Sequence, residues 1–137
     1  MASIEESVYD RLSTASAVTD LLAGGTRGIY PEKAPSSADL PYITYSLSDV
    51  EPLQNLSGSP PTTQATVEVE AWADSYKTAK QIAVQTRARL GGWFDKTATP
   101  RIDGMLWKDE TDRSEKIRDE EDELTYRITQ EFSVWYC

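Results

Sequence analysis

The chain has no histidine and one cysteine, Cys137. Serine and threonine hydroxyls are plentiful, but a hydroxyl needs a neighbouring base to become a nucleophile, and the usual base is missing. A lone cysteine cannot close an internal disulfide, so a disulfide framework is excluded and a reducing compartment suffices. Without a histidine partner, Cys137 reads as a stray thiol rather than a nucleophile. No glycine-rich phosphate loop occurs, and no apolar run approaches the length needed to cross a bilayer. The first six residues carry Glu5 and Glu6 where a secretion signal needs basic side chains, so the expectation is a soluble protein made in a cytoplasm, with no membrane partner.

Positive charge is scarce as well. There are 14 basic and 23 acidic residues, a net charge of −9, which repels phosphate at long range and disfavours a general nucleic-acid binder. Residues 108–123 hold four basic and nine acidic side chains. Within them, Asp119, Glu120, Glu121, Asp122 and Glu123 form an unbroken acidic run. Five consecutive carboxylates on an exposed connection diverge and repel one another, so a solvated loop is expected there and not a metal site.

What remains is ordinary domain material. A chain of 137 residues with 39% hydrophobic content can build one core, and no repeat or composition shift marks a second domain. Ile4, Val8, Leu12, Ala15, Val18 and Leu22 recur at spacings of three and four, behind a capping box of Ser3 and Glu6, which predicts a helix over residues 4–23. Gly28, Pro31, Pro35 and Pro41 then mark a connector, in which Ile29 and Tyr30 could add a short edge strand. Residues 42–48 alternate as a half-buried strand. Residues 49–63, with Pro52, Gly58, Pro60 and Pro61, predict a protruding arm. From Ala65 to Ala73 the period is again two.

Ser75 or Asp74 caps a second helix whose stripe is Ala79, Ile82, Ala83, Thr86 and Leu90, ended by Gly91 and Gly92. No Ser-Lys catalytic motif surrounds Ser75, and Lys77 reads as an exposed helix position. Residues 105–108 predict a third strand and residues 124–136 a fourth, with Gln130 the one polar residue on its inward set. The order α-β-β-α-β-β predicts an α+β fold of two layers: an antiparallel four-stranded sheet with two helices on one face. On the polar face of the sheet, Trp72 and Trp135 are costly to leave in water, which points either to a partner or to cover by the arm or connector.

Taken in order, Arg27 to Pro31, Ala34-Pro35, Leu40 to Ile43, Val67 to Tyr76, Ala79 to Ala83 and Tyr126 to Trp135 carry a likeness. The chain resembles the small tail-completion proteins of long-tailed bacteriophages, the tail-terminator or tail-to-head joining group. The resemblance implies a non-enzymatic virion protein without catalytic residues, cofactor or metal, assembled in the host cytoplasm. It would sit at the head-proximal end of the tail tube as a ring, usually a hexamer, end tube polymerisation, and contact the tube protein and the head connector while genome DNA passes through. The acidic connection and the cysteine terminus depart from the family pattern.

A ring requires a heterologous contact that closes by rotation. Trp72, Trp135, Pro52, Leu53 and Leu56 are the candidate interface residues for it, and Glu68 and Glu70 the candidate channel-lining acids. Two rival classes stand beside this reading: an acidic inhibitor or DNA mimic that binds a basic nucleic-acid-binding partner, and a metal-dependent enzyme using residues 119–123.

Overall fold

Ser3 accepts a hydrogen bond from the Glu6 backbone N–H and starts α1 (Ile4–Ser13), whose buried residues are Ile4, Val8 and Leu12. The computed structural model describes residues 3–35, 37–53, 62–115 and 125–137. The single helix expected over residues 4–23 is divided. The Thr14 hydroxyl donates to the Asp10 carbonyl at 2.6 Å and Ala15 turns extended, so the chain restarts as the short α2 (Ser16–Thr19) and then a 3₁₀ turn (Gly25–Gly28). A side chain that bonds its own preceding turn offers the backbone an alternative to continuing the helix. The apolar spacing survives the break, because Val18 and Leu22 are buried with the α1 stripe.

Five strands follow: β1 (Ile29–Pro31), β2 (Tyr42–Leu53), β3 (Thr62–Ala73), β4 (Ile102–Glu115) and β5 (Thr125–Tyr136), with α3 (Tyr76–Leu90) between β3 and β4. They form one sheet in the order β1-β2-β3-β5-β4. The α+β class stands, but the count of four is corrected to five: β1 joins at one edge, parallel to β2, pairing with Ile43 to Tyr45. The other neighbours are antiparallel. Strand ends extend further into the expected loops than the residue types suggest. Both flanks of the expected arm are paired, with Leu53 opposite Thr62; residues 54–61, Leu56 among them, lie outside the described residues, as does the acidic run 119–123.

The third strand is the larger correction. Expected over residues 105–108, it runs from Ile102 to Glu115 and so takes in the first part of the charged connection. Two register shifts explain why its alternation is hard to read: one between Ile102 and Gly104, the other between Trp107 and Asp109. Each inserts a residue and switches which parity faces the helices. Ile102, Met105, Trp107, Glu110 and Asp112 therefore share one side, opposite Tyr136, Val134, Phe132, Gln130 and Ile128 of β5.

That side is the inner face, and β3 alternates cleanly against it with Ala65, Val67, Val69, Ala71 and Ala73 buried. The core joins these to Ile43 and Tyr45 of β2, Phe132 and Val134 of β5, the α1 stripe, and Ile82 and Leu90 of α3. A smaller cluster, Ala73, Ala79, Ala83 and Ile128, lets α3 approach the sheet closely. Both helical segments thus cover the same face. Their C-terminal ends are tied by a reciprocal bond: Arg11 Nε donates to the Arg89 carbonyl at 3.0 Å, and Arg89 Nε donates to the Arg11 carbonyl at 2.8 Å. Each guanidinium satisfies a terminal carbonyl of the other helix. Burial, with the neighbouring Arg89 charge, lowers the Arg11 pKa below its ordinary value.

Candidate functional site

The outer face of the sheet is built by the residues that alternate with the core. Strand register lays them out in rows: Tyr42, Trp72 and Arg127; Thr44, Glu70, Thr129 and Thr111; Ser46, Glu68, Glu131 and Asp109; Ser48, Thr66, Ser133 and Leu106. Glu68 and Glu70 lie on this face as expected, both half-buried. Their surroundings differ. Glu70 Oε2 is 3.8 Å from Arg127 Nη1, whereas Glu68 sits directly opposite Glu131, which in turn sits opposite Asp109. Like charges directly across a ladder cost folding free energy. Alternation alone places Glu131 outward, but its grouping with Glu68 and Asp109 depends on β5 lying between β3 and β4.

Trp72 is half-buried by residues of its own chain. Its ring stacks on Tyr42 at 5.8 Å between centroids, the Arg127 guanidinium lies 5.1 Å from its ring, and Nε1 donates to Thr44 Oγ1 at 3.0 Å. Tyr30 of the connector meets Tyr42 edge-on at 5.9 Å. Trp135 stands at the other end of this face, between Gln64 and Gly104 in register, and is half-buried. Pro52 is exposed near the end of β2, and Leu53 is the last residue of that strand. Register therefore separates Trp72 from Trp135, with Trp135 and Pro52 toward the arm end.

On the inner side, at the margin between α3 and β4, a polar cluster breaks the apolar pattern. Gln130, fully buried, donates from Nε2 to the Ala83 carbonyl at 2.9 Å and to Glu110 Oε1 at 2.8 Å. Glu110 Oε2 accepts from Lys80 Nζ at 2.5 Å, and Tyr76 donates its hydroxyl proton to Asp112 at 2.7 Å. Burial pushes the Glu110 carboxyl up, but the hydrogen bonds from Lys80 and Gln130 and the nearby cationic charges outweigh it, and its pKa lies below the ordinary value. A carboxyl depressed in the folded state stabilises fully above its unfolded pKa and loses that contribution as pH falls through the folded one. Stability is therefore expected to fall below about pH 4.3, the unperturbed glutamate value. Glu110→Gln should remove part of that fall, about 1 kcal/mol or less for a pair with Lys80 half in solvent. Urea melts of both proteins between neutral and acid pH would check this, and identical acid profiles would contradict it.

Among the described residues, no group of three or more histidine, cysteine, aspartate or glutamate side chains is placed to hold a metal ion. Nor, among the described residues, is any helix long and apolar enough to cross a membrane. The distinguishing features are surfaces: a polar sheet face that the helices leave uncovered, with an acidic row on it, and two sheet margins.

These belong to a class of two-layer α+β subunits, and the comparisons place the chain within it. A family model described as "Tail completion protein gp17" matches residues 6–137, and the chain belongs to that family. Its members are structural phage tail proteins. A chain from the structure described as "Virion of native gene transfer agent (GTA) particle" is similar in fold, with a TM-score of 0.75 at 20% identity, over 94% of this chain and 90% of that one. No curated protein matches the sequence.

Proposed function

We propose that the protein caps the head-proximal end of a tail tube as a ring, ends tube polymerisation, and forms the surface to which the head connector joins. The family match over residues 6–137 carries this reading. The geometry supports it through the outer sheet face, which the helices leave uncovered and on which Glu68, Glu131 and Asp109 form one row. In this proposal the row lines the channel and keeps passing DNA from adhering. Glu68 is the stronger of the two original candidates, because Arg127 partly offsets the charge of Glu70. Trp135 and Pro52, with Leu53 and Leu56, serve the subunit or partner interface near the arm. Trp72 is engaged by Tyr42, Thr44 and Arg127 and presents what is left of its ring.

The test is to remove the protein from particle assembly. Electron microscopy should show tails of irregular or excess length and heads without joined tails, while normal tailed particles would overturn the reading. A second measurement tests the channel assignment. Replacing Glu68 and Glu70 together with lysine should leave tailed particles intact while reducing DNA delivery, by at least about tenfold if each cation adds favourable phosphate contact. Unchanged delivery would remove these acids from the channel.

A further inference from the structure

The charged residues of α3 are all basic, Lys77, Lys80, Arg87 and Arg89, in a chain of net charge −9. Lys80 is bound to Glu110, and Arg89 to the Arg11 carbonyl. Arg87 instead sits over Trp107, with its guanidinium carbon 3.8 Å from the ring centroid. The two side chains wall a shallow groove completed by Val84, Ala88, Gly91 and Gly92. Its floor is open, since a Cβ added at Gly92 would meet nothing within 4 Å. Val84 on its wall is 53% exposed. This groove follows one margin of the sheet, because β4 is the last strand in its order.

The opposite margin has the complementary form. β1 covers β2 at Ile43 to Tyr45, and among the described residues the rest of that edge has no strand neighbour. A bulge between Ser48 and Glu51 sets Asp49 and Val50 against the single residue Ala65, with Asp49 at φ 52°. A left-handed residue at a bulge swings the strand out of its ladder, and Val50 is 53% exposed. Its neighbours Asp49 and Glu51 are also exposed. The bulge is therefore an apolar knob between two carboxylates, and the groove is of mixed polarity, with Val84, Ala88 and Trp107 beside the cationic Arg87.

Register puts knob and groove at the same height. Val50 is opposite Ala65, Ala65 pairs with Val134, and Val134 with Met105, two residues from Trp107. Gly92 of the groove is at that level, its N–H donating to the Met105 carbonyl at 2.7 Å. A head-to-tail contact of this kind closes a ring when its rotation divides a full turn.

We propose that the occupant of the α3–β4 groove is the Asp49-Val50-Glu51 bulge of a second copy of this chain, Val50 seating above Gly92 and the two carboxylates facing Arg87. This rests on the ring reading and assigns its subunit contact. The test uses full-length protein with Cys137→Ser, carrying Val50→Cys and Ala88→Cys together, both at exposed positions. Mild oxidation of the ring, in purified protein or in isolated tailed particles, should give a ladder of cross-linked species on a non-reducing gel that neither single variant gives. Rings visible by microscopy without a ladder would overturn the contact and leave the ring reading standing; no ring under either condition would overturn both. In addition, Arg87→Glu should cut ring yield at least about tenfold, as expected for a charge turned against like charge across a docked patch. Mixing it with the Asp49→Lys/Glu51→Lys variant should restore mixed rings, and failure of that rescue would count against the pairing of charges.

Discussion

Replacing Phe132 with alanine is expected to destabilise the protein by about 3–5 kcal/mol, the range for an aromatic side chain removed from a packed core. Phe132 is fully buried on β5, between Val67 of β3 and Trp107 of β4 in register. Strands hold it on both sides and the helices cover its face, so the surroundings can collapse little into the space it leaves. A domain of this size is stable by about 5–15 kcal/mol, and the loss is a fifth or more of that. In urea the midpoint should fall with little change in slope, since the same surface is exposed on unfolding. Thr129→Ala, three residues away on the outer face of the same strand, should change stability by no more than about 0.5 kcal/mol. A Phe132→Ala cost near that of Thr129→Ala would show that the centre of the core lies elsewhere.

The contrast between those two positions was legible in the sequence because β5 and β3 keep an unbroken period of two. The α3 stripe was legible for the corresponding reason: Ala79, Ile82, Ala83, Thr86 and Leu90 are the residues the helix buries. Elsewhere the chain breaks its own pattern. In β4 the insertion at Lys108 brings Glu110 and Asp112 to the helix side, where Lys80 and Tyr76 meet them. A polar residue then stands where alternation calls for an apolar one, and the strand reads as loop. The first helix fails in the opposite way, because its apolar spacing continues through the break at Ala15 while the backbone does not.

The candidate surfaces show the same division. That Glu68, Glu70 and Trp72 share a face follows from local alternation. That Glu131 and Asp109 join them, that Tyr42 stacks on Trp72, and that α3 and β4 form a groove depends on strand order and bulges. Those are set by packing between segments far apart in the chain.

The second large effect is expected at Gln130, the polar residue the core retains. Gln130→Leu keeps roughly the volume but deletes two hydrogen bonds, one to the Ala83 carbonyl and one to Glu110. The carboxylate is the costlier loss, since a partly buried charge left short of a donor bears much of its desolvation, typically about 1–3 kcal/mol. The substitution also removes Oε1, which is buried without a hydrogen-bond partner among the described residues, and that gain offsets part of the loss. A net destabilisation of about 1–2 kcal/mol is therefore expected. Because Gln130 is one of the groups holding the Glu110 carboxyl down, its loss brings the folded pKa closer to the unfolded one, so the acid-induced loss of stability should be smaller in this variant and complete at higher pH. A double-mutant cycle with Glu110→Gln separates the contributions: coupling of about 0.5 kcal/mol or more is expected for side chains in one network. Additive costs and an unmoved acid transition would mean that Gln130 supports the core through its bond to α3 alone, with Glu110 held by Lys80.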